Sequence, residues 1–218
     1  MNIYIVGGNG FARECYRYVQ MMSLVDKNIH FAGFLGHNGY GHTVDYKELQ
    51  KFYLGEVSEY NFSKDDHVVI GAGYPKLRSV IYKELKERNL KFFTIIVGTP
   101  LDNSVEIGEA NVFIPPFHPS CNVKIGNCNV LNGDVLVGHD SIIGDLNFFG
   151  PRCQVLGTVE IGNGNLVGAN SILLPHVKVG NNNKIAPLSV VYRGCKNNCY
   201  MLGNPALKVG NFEENSNE

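Results

Sequence analysis

An apolar residue returns at every sixth position between residues 105 and 192. Fourteen of the fifteen positions hold a large apolar side chain, and Pro119 is the exception. The positions are Ile107, Phe113, Pro119, Ile125, Leu131, Val137, Ile143, Phe149, Val155, Ile161, Val167, Leu173, Val179, Ile185 and Val191. A period of six fits neither a helix nor an ordinary strand, whose side chains repeat at 3.6 and 2.0 residues. The spacing therefore predicts hexapeptides that each form one short strand and one corner.

A second register lies two residues before the first and holds small or medium side chains that should also point inward. Its members are Val123, Asn129, Val135, Ser141, Asn147, Cys153, Val159, Asn165 and Ser171. Ile-Gly or Val-Gly also recurs every eighteen residues, at 107/108, 125/126, 143/144, 161/162 and 179/180. Three hexapeptides therefore close one turn, and we expect a triangular solenoid of five coils in which each coil buries its apolar residues against its neighbours.

This pattern resembles the left-handed parallel β-helix of the hexapeptide-repeat acyltransferases. Segments 130–145 (VLNGDVLVGHDSIIGD), 157–175 (GTVEIGNGNLVGANSILLP) and 203–207 (GNPAL) are similar to bacterial sugar acetyltransferases. Those enzymes include sialic acid O-acetyltransferases and N-acetyltransferases of nucleotide-linked 4-amino sugars. The resemblance implies an acetyl-CoA-dependent transferase with acetyl-CoA as co-substrate.

The first hundred residues predict a different architecture. Residues 2–6 read as a buried strand that ends in Gly7-Gly8-Asn9-Gly10 and leads into a helix at 11–22. A second strand begins at His67, a second helix runs from Pro75 to Arg88, and a third strand spans 92–97. We expect a parallel, α/β Rossmann-like domain at 1–100, the β-helix at 101–210 and a disordered tail at 211–218.

The first glycine turn is a candidate anion site, because a strand that opens a helix through glycines presents backbone N–H groups and the positive end of a helix dipole. A dinucleotide fingerprint is incomplete, since Arg13 replaces its third glycine and no acidic residue ends the next strand (31–38). Three interpretations remain: a nucleotide-sugar phosphate, NAD, and a tight turn needed only for packing. The candidate contacts are Gly8, Asn9, Gly10 and Phe11.

The second glycine turn, IGAGYPKLR at 70–78, resembles the loop with which the family closes over the nucleotide-sugar. Gly73, Lys76 and Arg78 are the candidate contacts, although both cations could equally be solvated surface charges. Asn132 is a further candidate for a substrate hydroxyl or phosphate, or else a corner asparagine. The family's His-Pro pair at the domain junction is replaced here by Gly98-Thr99-Pro100.

His139 is the candidate catalytic residue. It follows the Val137-Gly138 corner and falls outside both inward registers, so its side chain should face outward. An outward histidine can act as a general base, and the adjacent Asp140 can orient its ring. The alternative is an ordinary exposed His-Asp pair, but "GHD" stands where the family has its catalytic histidine and acid. The family's second active-site histidine is replaced by Phe148.

The resemblance also implies a donor groove between neighbouring subunits, and hence a homotrimer. Gly157 matches the glycine whose N–H faces the thioester carbonyl, and Asn170 and Ala186 match groove positions. GNPAL resembles the family's terminal GNPAK, and Lys208 could supply the cation that Leu207 lacks. Of the three histidines in the repeat, His118 is well separated from the others around the coil, and His139 and His176 lie two turns apart, so we expect no zinc site.

The composition narrows the other possibilities. A net charge of −1 gives no support for a nucleic-acid or membrane-surface partner. No apolar run approaches the roughly 18 residues of a membrane span, and the N-terminus lacks a basic leader, so we expect a soluble, cytoplasmic protein. Six scattered cysteines should be reduced. We expect N-acetylation of a nucleotide-linked amino sugar, with sialic-acid-type O-acetylation or a non-enzymatic nucleotide-binding trimer as alternatives.

Overall fold

A computed structural model describes residues 1–41, 43–98 and 100–212. It confirms the predicted fold class, an α/β domain followed by a left-handed parallel β-helix. Thr99 and most of the predicted tail, residues 213–218, lie outside the described residues. Asn211, the first residue of that predicted tail, ends a strand.

The N-terminal domain is a five-stranded parallel sheet with two long helices. Its elements are β1 (Asn2–Val6), α1 (Gly10–Val25), β2 (His30–Gly36), β3 (Tyr53–Glu56), β4 (Asp66–Ile70), α2 (Pro75–Glu87) and β5 (Lys91–Phe92), with short 3-10 helices at Lys47–Phe52 and Val57–Glu59. The strand order is β3-β2-β1-β4-β5, and all four pairings are parallel. Because the carboxyl ends of β1 and β4 are neighbours, the two glycine turns that follow them meet at one edge of the sheet.

The third strand predicted at 92–97 is wrong as a single element. Lys91–Phe92 belongs to the N-terminal sheet, whereas Ile95–Ile96 pairs with Val112 and Phe113 of the β-helix. The chain changes sheets at Thr94, whose hydroxyl donates to Gly108 O and accepts from the Asn111 N–H. The β-helix therefore recruits its first strand from before the predicted domain boundary.

The β-helix has three faces. The first face comprises Glu106–Ile107, Lys124–Ile125, Ile142–Ile143, Glu160–Ile161 and Lys178–Val179. The second comprises Ile95–Ile96, Val112–Ile114, Val130–Asn132, Phe148–Phe149, Leu166–Val167, Lys184–Ile185, Cys199–Gly203 and Ala206–Asn211. The third comprises Phe117–Pro119, Val135–Val137, Gln154–Val155, Ile172–Leu173 and Val190–Val191. From Glu106 to Val191 the strands of neighbouring coils pair in parallel eighteen residues apart, as in Lys124 with Glu106, which confirms the five predicted coils. At the end of the second face, Cys199–Gly203 and Ala206–Asn211 pair with each other antiparallel.

Both predicted inward registers form the core of the β-helix. The apolar register is buried from Ile125 to Val191, and the second register is buried from Val123 to Ser171. A column of buried asparagines, Asn111, Asn129, Asn147, Asn165 and Asn183, runs along one corner. Each side-chain oxygen in it accepts the backbone N–H of the residue in the next coil, as Asn147 Oδ1 does from Asn165 at 2.9 Å. The column thus satisfies backbone donors that the corners leave unpaired.

The N-terminal domain packs on the second face. Val112, Ile114 and Val130 point outward from that face and share a buried cluster with Ile3 and Ile5 of β1. The first face instead carries charged pairs such as Lys178–Glu160, and the third face exposes Leu136 to 38%. Two faces of the prism are therefore uncovered, and the third face is the more apolar of them.

Candidate active site

His139 lies at the corner that joins the third face to the first, with its side chain 60% exposed. Val137 and Ser141 on either side are buried, as the two registers require. Its Nδ1 lies 2.8 Å from Asp140 Oδ2. An ionised carboxylate accepts the proton of Nδ1, so the lone pair of the imidazole is on the outward Nε2. The pair therefore has the arrangement of a base and its orienting acid.

Asp140 is held in place by the preceding coil. It has a φ of 60°, a conformation that Asp tolerates better than most residues. Asn122, eighteen residues earlier, donates from Nδ2 to Asp140 Oδ1 at 3.0 Å. The hydrogen bonds from His139 and Asn122 hold the pKa of the Asp140 carboxyl below its usual range. Sequence reasoning missed Asn122, although its place one coil below Asp140 was a usable signal.

Gly157 lies directly against the His139 ring. A Cβ at Gly157 would be 2.6 Å from His139 Nε2 and 2.7 Å from Cε1, so only glycine leaves room for the imidazole in this position. The Gly157 N–H donates to no backbone carbonyl in the part of the chain that the structure describes. An imidazole and a backbone N–H thus lie side by side, an arrangement that can provide a general base and an oxyanion donor for acyl transfer.

A separate cavity of about 460 Å³ opens between the N-terminal domain and the β-helix. Its lining residues are Asn9, Gly10, Phe11, Glu14, Tyr40, Gly73, Tyr74, Leu77, Asn132 and Phe148. Five of these were predicted as substrate contacts, and we call this cavity the acceptor pocket. Gly10, the first residue of α1, and Tyr74, the N-cap of α2, both border it, so two positive helix ends converge there. Such an arrangement suits an anion.

Three predicted contacts do not line the acceptor pocket. A Cβ at Gly8 would be 2.0 Å from Thr43 O, so that glycine permits the close approach of the Thr43 backbone. Lys76 borders a different cavity of about 440 Å³, beside Asn163 and Phe212. Arg78 is 1% exposed and donates to backbone carbonyls, so the prediction that it touches a ligand is wrong.

Tyr40 and Phe148 shape the pocket walls. Asn9 Nδ2 donates to Tyr40 Oη at 2.7 Å, and the buried Asn9 Oδ1 accepts no hydrogen bond among the described residues. Phe148, where the family has a histidine, packs with the buried cluster that joins the two domains and lies 3.6 Å from a Cβ built at Gly73. No local sequence pattern pointed to Tyr40, because it comes from the loop after β2.

The predicted donor residues stand on opposite edges of the third face. Gly157 and His139 lie at the corner after this face, whereas Asn170 and Ala186 lie at the corner before it. Asn170 is exposed with a φ of 57°, and Ala186 is buried with its carbonyl accepting from Ser171 Oγ. A single chain therefore does not gather these residues into one groove.

Lys208 borders a cavity of about 770 Å³ at the end of the β-helix. Arg193 and Lys196 also line it, together with Tyr192 and Cys195. The cavity lies beside an antiparallel hairpin formed by Cys199–Gly203 and Ala206–Asn211. Three cations thus surround a cavity in which the sequence had predicted one.

Residues 1–41, 43–98 and 100–212 form neither a candidate metal site nor a candidate membrane-spanning helix. No group of three or more His, Cys, Asp or Glu side chains in these ranges is placed to hold a metal ion. No helix in them has the length and apolarity to cross a membrane.

Residues 158–193 match the family described as bacterial transferase hexapeptide (six repeats). No curated protein sequence matches the chain. Among solved structures, a histidine-to-asparagine variant of perosamine N-acetyltransferase from Caulobacter crescentus, in complex with CoA and GDP-perosamine, is similar with a TM-score of 0.81. It shares 20% identity, over 97% of this chain and 98% of that one.

Two further structures are similar over nearly their full length. The acetyltransferase domain of PglB from Neisseria gonorrhoeae in complex with acetyl coenzyme A has a TM-score of 0.81 and 15% identity, covering 95% of this chain and 98% of that one. WeeI from Acinetobacter baumannii has a TM-score of 0.79 and 19% identity, covering 96% of this chain and all of that one (100%). These likenesses confirm the two-domain fold that the sequence predicted.

Proposed function

We propose that this protein is an acetyl-CoA-dependent N-acetyltransferase that acts on the amino group of a nucleotide-linked amino-deoxy sugar, for bacterial surface glycan synthesis. The observation that supports the proposal most directly is the contact between the His139 ring and Gly157, whose N–H donates to no backbone carbonyl among the described residues. The similar structures contain CoA and GDP-perosamine, or acetyl coenzyme A. Acetyl-CoA supplies the activated acetyl group.

The residues divide the chemistry between them. His139 Nε2 takes a proton from the amino group as its nitrogen adds to the thioester carbon, and Asp140 stabilises the imidazolium that forms. The Gly157 N–H donates to the oxygen on which negative charge develops. When the carbon–sulfur bond breaks, His139 returns the proton to the leaving thiolate. No Ser or Cys stands at the 138–140 corner, so transfer is direct and leaves no acetyl group on the protein.

The acceptor pocket supplies the second substrate site. Gly10 and Gly73 line a cavity at the N-terminal ends of α1 and α2, a position that suits the diphosphate of a nucleotide-sugar. Asn132 offers an amide to a sugar hydroxyl, and Phe148 gives this end of the pocket an apolar wall. His139 does not line the acceptor pocket of its own chain within the described residues.

A homotrimer would bring the separated parts together. Asn132, Asn170 and Ala186 lie toward one edge of the third face and His139 and Gly157 toward the other, so the edge of one copy must meet the opposite edge of the next. Such head-to-tail contacts close as a ring, and three copies match a triangular prism. Light scattering should give a trimer at micromolar concentration. A monomer would contradict both the assembly and the donor groove.

The function is tested by incubating the protein with acetyl-CoA and a panel of UDP-, GDP- and dTDP-linked amino sugars and sialic acids, and measuring free thiol. We expect thiol release that depends on one class of nucleotide-linked amino sugar. Release only with a sialic acid would favour O-acetylation, and nucleotide binding without release would favour a non-enzymatic trimer. Radiolabelled acetyl that stays on the protein without acceptor would contradict direct transfer.

A further inference from the structure

The acceptor pocket lacks a cation in its lining. Among the described residues, the only charged side chain on its walls is Glu14, a carboxylate. A diphosphate in this pocket would meet two helix N-termini but no Lys, Arg or His side chain. Within the described residues of one chain, a side-chain cation that favours such a ligand therefore has to act from behind the walls.

Arg78 is the cation behind the walls. It lies one turn into α2, and its guanidinium is buried between the two domains. On the side of the N-terminal domain, Nη1 donates to Ile70 O at 2.7 Å and to Ala72 O at 2.8 Å. On the side of the β-helix, Nη2 donates to Ala110 O at 2.8 Å and Nε to Cys128 O at 3.1 Å.

The four carbonyls belong to segments that lead to the two walls of the pocket. Residues 70–72 lead directly into Gly73 and Tyr74, which line it on one side. Ala110 and Cys128 are corner residues with φ near 59°, and the coils to which they belong lead to Val112 and Asn132 on the second face. One side chain thus fixes the distance between the wall formed by the glycine turn and the wall formed by the β-helix.

The charge of Arg78 is not neutralised locally. No carboxylate lies within 4.0 Å of it in the described part of the chain. The nearby thiols stay neutral, because burial raises the pKa of Cys15 to about 12 and raises that of Cys128 as well. The influence of Arg78 reaches the pocket wall: burial raises the pKa of the Tyr40 phenol, whereas the hydrogen bond from Asn9 and the charge of Arg78 act in the opposite direction.

Packing alone does not require a cation here. Ile81 and Leu85 occupy the same buried side of α2, three and seven residues further on, and an apolar residue at 78 would continue that side. Burying a cation without a counter-charge has a desolvation cost that its four carbonyl acceptors offset only in part. An anion in the adjacent pocket would supply the missing counter-charge.

We infer that Arg78 is a positioning residue of the acceptor site, whose buried charge gives the pocket its preference for a diphosphate and whose four hydrogen bonds hold the two pocket walls together. This inference rests on the proposed function for the identity of the site. The preference for a diphosphate over an uncharged ligand then comes from an interior side chain that makes no contact with the ligand.

The test is calorimetry of the full-length protein with UDP, GDP and dTDP, each compared with its uncharged nucleoside. The wild type should bind at least one diphosphate more tightly than its nucleoside. Arg78→Gln should reduce that preference by roughly tenfold, while nucleoside affinity changes by less than about threefold. Arg78→Lys keeps the charge and loses most of the carbonyl contacts, so it should lower the melting temperature yet retain most of the preference.

Two further variants on α2 complete the design. Lys83→Gln removes an exposed cation from the same helix and should change neither binding nor melting temperature. Lys76→Gln should also keep the preference for the diphosphate. If this variant lost the preference, Lys76 and not Arg78 would be its source, and the inference would be overturned. If Arg78→Gln fails to fold, Arg78→Lys alone decides. Loss of the diphosphate preference in a variant that keeps the positive charge would contradict the inferred effect of that charge.

The remaining outcomes separate the inference from the proposed function. Equal loss of nucleoside and diphosphate affinity in Arg78→Gln would show a structural role only. An unchanged preference in that variant would overturn the inference and leave the proposed function standing. A wild-type protein that binds none of the diphosphates would remove the acceptor site itself, and with it both proposals.

Discussion

Gly157→Ala should remove most of the activity and leave the fold intact, because the added methyl group takes the place of the His139 ring. The Cβ would lie 2.6 Å from Nε2, whereas ordinary contact begins at 3.4 Å. The imidazole must therefore retreat by roughly 1 Å, and a misplacement of this size in a reacting group costs about 10²-fold in rate. Alanine retains the backbone N–H, so the loss reports the position of the base and not the loss of the oxyanion donor.

The stability of the variant should hardly change. The His139 side chain is exposed and can swing outward without disturbing the core, so the free energy of unfolding should change by less than about 0.5 kcal/mol. Gly138→Ala offers a contrast at the neighbouring corner, because its Cβ would lie 2.6 Å from the Gly157 N and the Leu156 C, which are backbone atoms that cannot swing away. That variant should lose stability as well as activity.

The assay is kcat with saturating acetyl-CoA and acceptor, together with acetyl-CoA affinity and thermal melting. Gly210→Ala is the matched control, since its Cβ would meet no atom within 4 Å. In a His139→Ala background the Gly157 substitution should have almost no further effect, because both changes act on one group. A Gly157→Ala enzyme with kcat within about threefold of the wild type, or an undiminished effect in that background, would refute the reasoning.

Two further predictions concern the ladder of side chains between coils. Asn122→Ala removes one of the two hydrogen bonds that lower the pKa of Asp140, so this pKa should rise. As the pH falls, the Asp140 carboxylate should then become protonated at a higher pH than in the wild type. NMR titration of the Asp140 carboxyl carbon measures this pKa, and an unchanged value would contradict a role for the Asn122 hydrogen bond. Asn147→Ala removes the side chain that pairs with the Asn165 N–H and the Gly162 carbonyl. The free energy of unfolding, measured in urea, should fall by about 2–5 kcal/mol. A decrease below about 1 kcal/mol would show that the asparagine column is dispensable.

The β-helix was readable from the sequence because its physics is local and repeated. Every coil meets the same steric demand, so an apolar residue every six positions fixes faces, corners and register together, and Val137 and Ser141 on the inward positions place His139 outward by elimination. The glycine turns were readable for a similar reason, since Gly10 and Gly73 follow buried strands whose ends must meet at one edge of a parallel sheet.

Long-range contacts account for what was missed. Tyr40 reaches the acceptor pocket from a loop, and Thr94 breaks the predicted third strand through bonds to residues in the β-helix. Arg78 is a different case, because its helical spacing to Ile81 and Leu85 already placed it on the buried side of α2. An arginine suggested a contact at the surface, whereas the helical spacing to Ile81 and Leu85 indicated burial. The structure shows that Arg78 is buried.

The central claim, that His139 is the base of an acetyl transfer, is tested most directly by the kcat of His139→Ala on the acceptor that supports thiol release. General-base assistance contributes about 10²- to 10⁴-fold, so kcat should fall by that factor while acetyl-CoA affinity stays nearly unchanged. A variant that retains most of the wild-type kcat would contradict the claim and require another base.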